Sequence, residues 1–279
     1  MLSYLHAFHA GNFADVQKHA ALTLVIAMMQ AKPSAIACFD THAGSAVYDL
    51  DSERARKTGE ADTGIQKLWQ ARERLQGGDW APVLELLSGL NPGSGPLKTY
   101  PGSPAWFRHF LRKKDALTGF ELHPAEGDQL ERWARANAVR VVKQDGLKGL
   151  LKQLPPPHPR LLALTDPSYE VKTEYTDVAS TLNKAWRKCR HGVYLVWYPV
   201  LPGNPQNQLL DALAQGDVRK VLRSEVMLNQ PPQRGMTGSG MLVVNPPWGF
   251  AERFSAMMDQ VAGADCLNWQ HHSDWLVPE

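Results

Sequence analysis

One stretch, residues 161–169, constrains the fold of this chain more than any other. It consists of four apolar residues and a threonine, followed by Asp166-Pro167-Ser168-Tyr169. An apolar run this short, stopped by an acid and a proline, is typical of a buried parallel strand that ends in a shaped loop. In open α/β sheets the chemistry takes place at that end of the strands. We therefore expect an α/β fold with a functional loop that begins at Asp166.

Length and composition narrow the class of protein. The 279 residues, 43% hydrophobic and 21% charged, predict a soluble globular chain with one sizeable core and an insertion, or two small domains. The apolar run from Ala20 to Met29 is too short to span a bilayer and no signal-peptide pattern precedes it, so a cytoplasmic protein is expected. Three distant cysteines argue against disulfides and zinc sites. A net charge of +2 gives no strongly basic field, although basic clusters at 108–114, 184–190 and 219–223 permit an RNA partner.

Strand, acid and helix follow one another four times along the chain. The first strand, Ala35 to Asp40, leads into a small-residue turn with a single glycine, Gly44. Later strands end at Glu121, Asp145 and Asp166. Because parallel strands end at one edge of a sheet, we expect these four acids to converge there and to bind a nucleoside-bearing cofactor. A carboxylate such as Glu121 can accept hydrogen bonds from both ribose hydroxyls, and Asp145 can meet an adenine amino group.

The distance between the first two acids is too long for one crossover helix. Helical patterns at 60–75 and 81–90, broken by glycines, predict a helical subdomain inserted at 51–100, with 1–50 and 101–279 forming the main domain. Two helix starts are predicted as well, with Asn12 and Ser103 as N-caps. The histidines of the N-terminal arm show no metal-binding spacing, so no metal site is predicted.

A second proline motif, Asn245-Pro246-Pro247-Trp248, competes with the first for the functional loop. If Asn245 ended the fourth strand, too little chain would remain for the further strands and crossovers of such a sheet. We therefore expect this segment to stop pairing after the last strand, where two prolines end it. A place for it in the lining of the site stays open.

These motifs together resemble those of a known family. The segments that carry the resemblance are His9-Ala10-Gly11-Asn12 with Asp15-Val16 and Lys18-His19, Asp40-Thr41-His42-Ala43-Gly44, Tyr100-Pro101-Gly102-Ser103-Pro104, Glu121-Leu122-His123-Pro124, Asp145-Gly146, Asp166-Pro167-Ser168-Tyr169, and Arg234-Gly235-Met236-Thr237 with the later Asn-Pro-Pro-Trp. In this order and over the whole chain, they are similar to the RlmJ family of bacterial 23S rRNA adenine-N6 methyltransferases. The resemblance implies a class I S-adenosylmethionine-dependent methyltransferase fold, Rossmann-like, with a seven-stranded mixed sheet and an inserted helical subdomain.

The resemblance also implies roles for individual residues. The cofactor contacts fall on His19, His42, Ser103, Glu121, Asp145, Gly146 and Asp166, with Lys18 as a further candidate. The catalytic loop falls on Asp166, Pro167 and Tyr169, and the substrate contact of the arm on Tyr4. Two positions depart from the family pattern: Ser168 replaces a second proline, which loosens the loop, and Ser45-Ala46 replaces a turn richer in glycine.

The implied reaction is methylation of the amino group of one adenine in 23S rRNA, free or partly assembled, by a cytoplasmic monomer. Asp166 and the Pro167 carbonyl are expected to accept the two N–H bonds and to hold the nitrogen in line with the methyl donor. Tyr169 is expected to stack on an adenine swung out of its helix. Two alternatives stay open: a DNA adenine-N6 methyltransferase, and a catalytically weak nucleic-acid-binding relative.

Overall fold

The chain begins with a short turn and a long buried helix. The computed structural model describes residues 4–279, so the first three residues of the predicted arm lie outside the described part. After a 3₁₀ turn at His6–Phe8, the first helix spans Phe13–Gln30. The Asn12 side chain accepts a hydrogen bond from the Asp15 N–H (2.9 Å), which confirms the predicted N-cap.

The rest of the chain contributes ten further α-helices and ten strands within the described residues. In chain order the helices α1–α11 are Phe13–Gln30, Glu53–Thr58, Glu60–Thr63, Ile65–Gln70, Ala81–Leu90, Ser103–Phe110, Pro124–Asn137, Gly146–Gln153, Glu174–Lys188, Asn207–Ala214 and Phe250–Val261. The strands β1–β10 are Ile36–Asp40, Val47–Asp49, Thr99–Pro101, Ala116–Phe120, Arg140–Val142, Arg160–Thr165, Val193–Val200, Val221–Leu228, Gly238–Val244 and Trp269–Val277.

Within the described residues, eight strands form one mixed sheet in the order β10-β8-β9-β7-β6-β1-β4-β5. The five strands from β7 to β5 are parallel, and β9, β8 and β10 are added antiparallel. The predicted α/β class is confirmed, with one strand more than the seven expected. We call the edge where the parallel strands end the carboxyl edge, and the edge where they begin the amino edge.

The sheet is covered on both faces, as a parallel sheet requires. One apolar core packs α1, α6, α11 and the helices of 53–90 against one face, and a second packs α8, α9 and α10 against the other. Strand β1 is buried along its whole length between them. The two cores therefore fix β1 and β6 rigidly in the middle of the sheet, where their ends carry Asp40 and Asp166.

The segment between β2 and β3 consists of the short helices α2 to α5, as its helical patterns predict. The pattern at 60–75 is broken at Gly64, and this residue packs so closely on the arm that an added side chain would lie 2.3 Å from the Gly11 carbonyl oxygen. The strands β2 and β3 pair antiparallel at the base of this segment, which brings 47–49 beside 99–101. Its division from the rest of the chain as a subdomain of residues 51–100 stays a prediction.

Two details differ from expectation. The segment Asn245-Pro246-Pro247-Trp248 does end a strand, β9, but α11 and β10 follow it. Strand β10 is not predicted from the sequence, because its pattern is polar and histidine-rich, as is typical of an edge strand in contact with water. The N-cap of α6 is Gly102 rather than Ser103, which is the first helical residue and makes no capping hydrogen bond.

No helix within residues 4–279 combines the length and the apolar character needed to cross a bilayer.

Candidate active site

A cavity of about 310 Å³ lies at the carboxyl edge of the sheet, beside the ends of β1, β4 and β6. Ten of the eleven residues predicted for the site line it; only Tyr169 does not. These ten are Tyr4, Lys18, His19, His42, Ser103, Glu121, Asp145, Gly146, Asp166 and Pro167. The structure thus brings together residues from the N-terminal arm, from α1 and from the ends of the central strands.

Glu121, directly after β4, is held in place by the backbone of two loops. Its carboxylate accepts hydrogen bonds from the N–H of Gly44 (2.7 Å) and from the N–H of His123 (2.6 Å). Gly44 has φ +55°, a left-handed conformation that favours glycine, and this conformation accompanies the contact of its N–H with the acid. Burial raises the pKa of Glu121, although these hydrogen bonds offset part of the effect. The remaining lone pairs of this carboxylate are available to two hydroxyl groups of a ligand.

Asp145 and Gly146 form the start of α8 at the next strand end. Asp145 is the N-cap of this helix and accepts a hydrogen bond from the Lys148 N–H (3.0 Å). A side chain at Gly146 would lie 1.8 Å from the carbonyl oxygen of Thr41, so only glycine allows the helix to approach the loop after β1 this closely. The absence of a side chain at Gly146 therefore determines the shape of this part of the cavity.

Four histidines line the cavity, and two of them, His19 and His42, have pKa values lowered by burial, so their rings are uncharged at neutral pH. His19 Nδ1 lies 2.7 Å from the Tyr100 hydroxyl, the ring stacks on Trp106, and its buried Nε2 has no partner within the described residues. Burial keeps the pKa of His19 well below the usual range. Burial also lowers the pKa of His42 to about 4. Buried polar atoms normally have a hydrogen-bond partner, so the unpaired His19 Nε2 in the cavity wall indicates a site for a polar ligand.

Asp40, at the end of β1, carries a second orphaned atom. Its Oδ2 is buried without a hydrogen-bond partner among the described residues, and burial raises its pKa to about 7, an effect that Ser103 partly offsets. The negative charge of nearby Asp166 also raises the pKa of Asp40. Asp40 does not line the cavity itself, so of these two unsatisfied atoms only His19 Nε2 belongs to a lining residue that a cofactor could contact.

A second cavity of about 250 Å³ adjoins the first. Five residues line both: Tyr4, His6, Lys18, Asp166 and Ser168. The other walls of the second cavity come from the arm and from the end of β7 with its following loop, including Trp197, Pro199 and Leu201. Asp166 therefore lies in the wall between two compartments.

Lys18 holds Asp166 in this wall. Its ammonium group contacts Asp166 Oδ2 and also lies 2.8 Å from Asp15 Oδ1. Burial would lower the pKa of Lys18, but the two carboxylates more than offset it, so the lysine stays charged. For Asp166 burial dominates and raises the pKa, and the charge of Lys18 opposes the rise. The result is a carboxylate that is fixed in position and more basic than an exposed one.

The network continues into the arm through residues that were not predicted for the site. Asp15 Oδ2 accepts hydrogen bonds from His6 Nε2 (2.9 Å) and from the Gly11 N–H (2.8 Å). His6 Nδ1 lies 2.9 Å from the Tyr4 hydroxyl, and the Tyr4 ring stacks on His9. His6 and Asp15 were missed because the sequence shows only a histidine-rich arm and a helix start. The spacing of three between Asp15 and Lys18, one turn of helix, was the available signal.

Tyr169 lies apart from both cavities. Its ring is buried against Tyr175 (4.4 Å between ring centroids) and its hydroxyl donates to the Trp197 carbonyl oxygen (2.8 Å). The backbone at Tyr169 is left-handed, with φ +55°. The expected stacking of this ring on a base does not fit the arrangement, because the ring forms part of the apolar core. Tyr169 instead ties the loop after β6 to β7.

The competing proline motif is at the opposite edge. Asn245 follows β9, whose end pairs with the first residues of β7 and β8, so the motif lies at the amino edge. None of its four residues lines either cavity. Among the residues that the structure describes, no group of three His, Cys, Asp or Glu side chains could hold a metal ion.

The fold and the site define the class of protein. The cavity lies where the strand order reverses, between β1 and β6, with acids at the ends of β1, β4 and β6 and a further acid shortly after β5. This arrangement is that of a class I, Rossmann-like, S-adenosylmethionine-dependent methyltransferase.

Comparison with known proteins gives the family. The family model described as "Ribosomal RNA large subunit methyltransferase D, RlmJ" matches residues 33–277. The chain is 37% identical over 283 residues to "Ribosomal RNA large subunit methyltransferase J" of Escherichia coli and 36% identical over 285 residues to the protein of the same name from Haemophilus influenzae, with 100% of each chain covered. A crystal structure of a Legionella pneumophila protein, 33% identical, superposes with a TM-score of 0.87 and covers 96% of this chain and 98% of that one. The chain belongs to the RlmJ family.

Proposed function

We propose that this protein transfers a methyl group from S-adenosylmethionine to the N6 amino group of one adenine in 23S rRNA. The observation that carries the proposal is the position of Asp166. It lines both the larger cavity, which has the cofactor-type acids, and the adjoining cavity, which has aromatic walls. A group that touches both compartments can hold an acceptor atom next to a donor. The names of the RlmJ relatives support ribosomal RNA as the substrate.

The larger cavity is assigned to the cofactor. Glu121 accepts hydrogen bonds from the ribose hydroxyls and Asp145 from the adenine amino group, while His19, His42 and Ser103 contact the remaining polar groups. When bound, S-adenosylmethionine supplies an electrophilic methyl group. Because burial keeps the pKa of both histidines low, neither of them carries a positive charge that would oppose a cationic donor.

The amino group of adenine is activated by the loop. It is a poor nucleophile because its lone pair is delocalised into the ring. Hydrogen bonds from its two N–H groups to Asp166 and to the Pro167 carbonyl draw the lone pair out of conjugation. After methyl transfer the nitrogen is positively charged, and Asp166, whose pKa burial has raised, accepts its surplus proton.

The adjoining cavity is assigned to the target base. Tyr4 and Trp197 provide flat apolar walls, and a base can reach them only after it leaves its helix. The proposed subdomain of residues 51–100 places exposed Arg54, Arg56 and Lys57 near the arm, where they can contact phosphates. In this arrangement the arm contacts the target base, and the segment 51–100 contacts the phosphate backbone of the RNA.

The target is expected to be free or partly assembled 23S rRNA rather than the mature ribosome. The target base must leave its helix to enter the cavity, and this requires an RNA helix that the protein can reach. The protein is expected to act as a cytoplasmic monomer. Sedimentation of the purified protein and of cell extracts, with activity measured in each fraction, tests both points. Co-sedimentation of all activity with mature ribosomes would contradict the first.

The function is tested with labelled cofactor. Unmodified 23S rRNA is expected to acquire N6-methyladenosine, detected after nuclease digestion, whereas duplex DNA of matched length is not. Asp166→Ala is expected to reduce turnover about a thousandfold while keeping cofactor affinity, in the range of general acid–base effects. Label on DNA alone would support a DNA methyltransferase, and label on neither would support a nucleic-acid-binding relative without activity.

A further inference from the structure

The Asn-Pro-Pro-Trp motif has no part in the proposed reaction, yet it is held in a defined shape. We call residues 245–249 the tryptophan loop. Asn245 has φ +52°, and its side-chain Nδ2 donates to the carbonyl oxygens of Arg190 (2.7 Å) and Gly192 (2.8 Å). Its N–H donates to the Lys220 carbonyl oxygen (3.0 Å). Three hydrogen bonds therefore join the start of this loop to two neighbouring segments.

The other end of the tryptophan loop is anchored as well. The Phe250 N–H donates to the Pro247 carbonyl oxygen (3.0 Å), and the Phe250 ring is fully buried at the start of α11. Two prolines limit the backbone in between. The backbone of the loop is thus held on both sides of Trp248.

Trp248 is nevertheless 97% exposed. An exposed tryptophan side chain does not contribute the favourable free energy of hydrophobic burial. When the backbone holds such a side chain in place, it indicates a site of contact with a partner. Next to it lies an open groove of about 410 Å³, whose other wall includes Trp275, 45% exposed, and the side chain of Lys220. Two indole rings and a lysine border one groove.

The charges around the tryptophan loop indicate the partner. The end of α9 and the segment before β8 contribute five basic side chains: Arg187, Lys188, Arg190, Arg219 and Lys220. Three acids lie in the same area: Asp217 pairs with Arg187, Glu279 pairs with Lys220, and both Glu252 and Glu279 line the groove. The carboxyl edge, by contrast, carries the acids of the site.

We propose that the tryptophan loop and the groove beside it form a second RNA-docking surface, at which an unpaired base of the rRNA stacks on Trp248 while flanking phosphates contact Arg190 and Lys220. A rigid aromatic ring flanked by basic side chains is the arrangement with which proteins bind single-stranded nucleic acid. The inference rests on the proposed function for the identity of the RNA. It assigns a role to the amino edge that the reaction itself does not need.

The length of a central strand, from one edge of the sheet to the other, can be compared with the length of an RNA duplex. The six residues of β6 cross the sheet from the amino edge to the carboxyl edge, a rise of about 20 Å. A duplex of roughly six base pairs covers that length, at about 3.4 Å for each pair. One helix with the target adenine at one end and an unpaired base at the other can therefore reach both surfaces.

The test compares two RNAs and measures binding without cofactor. One is a short stem-loop with the target adenine, and the other is the same stem-loop with its natural flanking sequence. Trp248→Ala is expected to raise the Kd for the extended RNA about tenfold and to leave the Kd for the short stem-loop unchanged. Trp248→Phe, which keeps a stacking face, is expected to restore most of the affinity. Leu90→Ala, at an exposed apolar residue of α5, serves as the matched control and should change neither Kd.

Two further measurements complete the design. Arg190→Ala combined with Lys220→Ala should reduce the slope of log Kd against log salt for the extended RNA. An unchanged Kd of Trp248→Ala for the extended RNA overturns the proposal, and so does a dimer that Trp248→Ala converts to monomer in sedimentation, since a second copy would then cover this face. Because binding is scored without methyl transfer, loss of the proposed function would appear as absent methylation with the Trp248 effect intact. The exposed position of Trp248 means that thermal unfolding should be unaltered in every Trp248 variant.

Discussion

The ammonium group of Lys18 contacts the carboxylate of Asp166 inside the protein, although 148 positions separate the two residues. Lys18 is on α1, and Asp166 follows the central strand β6. The pair exists because α1 packs across the sheet with its first turns above the carboxyl edge. It links the predicted catalytic acid to Asp15, to His6 and through them to the arm.

Removal of Lys18 should therefore affect both stability and the pH dependence of methyl transfer. Lys18→Met removes the ammonium group that lies between the buried acids Asp15 and Asp166, which is expected to cost about 3 to 5 kcal/mol of unfolding free energy. The pKa of Asp166 should rise further, because the charge that opposes its rise is gone. Denaturant unfolding and a pH profile of single-turnover methyl transfer measure the two effects. The acidic limb of the profile is expected to move to higher pH, and an unmoved limb would show that Asp166 is not the titrating base.

Asp40 should make the protein less stable as the pH rises. Its pKa is about 7 in the folded protein and near the ordinary value of 3.8 when unfolded, so the folded state retains its proton over that interval. This contribution is fully present below about pH 4 and is lost as the pH passes 7. Between pH 5 and pH 8 the advantage of Asp40→Asn over the parent protein should grow by about 2 to 3 kcal/mol, at 1.36 kcal/mol for each pKa unit. Parallel stability curves for the two proteins, from chemical denaturation without cofactor, would contradict the assignment.

Gly146 should tolerate no side chain. In Gly146→Ala the new methyl group would lie 1.8 Å from the Thr41 carbonyl oxygen, so the loop after β1 and the start of α8 must separate. Because both line the larger cavity, we expect cofactor affinity to fall at least tenfold and unfolding free energy by about 2 kcal/mol, in the range of overpacking. Calorimetric titration with S-adenosylhomocysteine and thermal unfolding measure these effects.

The matched control for this change is Gly89→Ala in α5, where nothing lies within 4 Å of the added methyl group. Alanine is the better helix former, so this variant should gain about 0.5 to 1 kcal/mol and bind the cofactor normally. Equal behaviour of the two variants would remove the close approach at Gly146 as an explanation.

Ser168 should make the catalytic loop less rigid than proline would. It lines both cavities, and its hydroxyl offers only a weak acceptor to the Glu170 N–H (3.5 Å). Ser168→Pro fixes φ and is expected to keep or raise the turnover number by up to a few-fold. Ser168→Ala, which removes the hydroxyl without fixing the backbone, should stay within about twofold of the parent. Steady-state methyl transfer decides, and a slower proline variant would refute a rigidity effect.

Much of this fold was predictable from local patterns. The apolar runs before Asp40, Glu121 and Asp166 predict buried parallel strands, because a strand covered on both faces cannot alternate apolar and polar residues. Asn12 predicts the start of α1 because its side chain satisfies a free N–H. Strand β10 was not predictable in this way, since an edge strand exposed to water carries no continuous apolar run. Its pairing with β8 depends on contacts between distant parts of the chain.

For the candidate site, too, some features follow from local sequence patterns and others only from the tertiary structure. The sequence by itself determined which acids end the central strands and therefore which residues meet at the carboxyl edge, because strand direction alone brings strand ends together. Only the tertiary structure decided that Lys18 pairs with Asp166, that His6 and Asp15 extend this network, and that Tyr169 lies in the core. It also placed Trp248 in water at the opposite edge. These are orientations of side chains, and they depend on packing between elements that no local sequence pattern encodes.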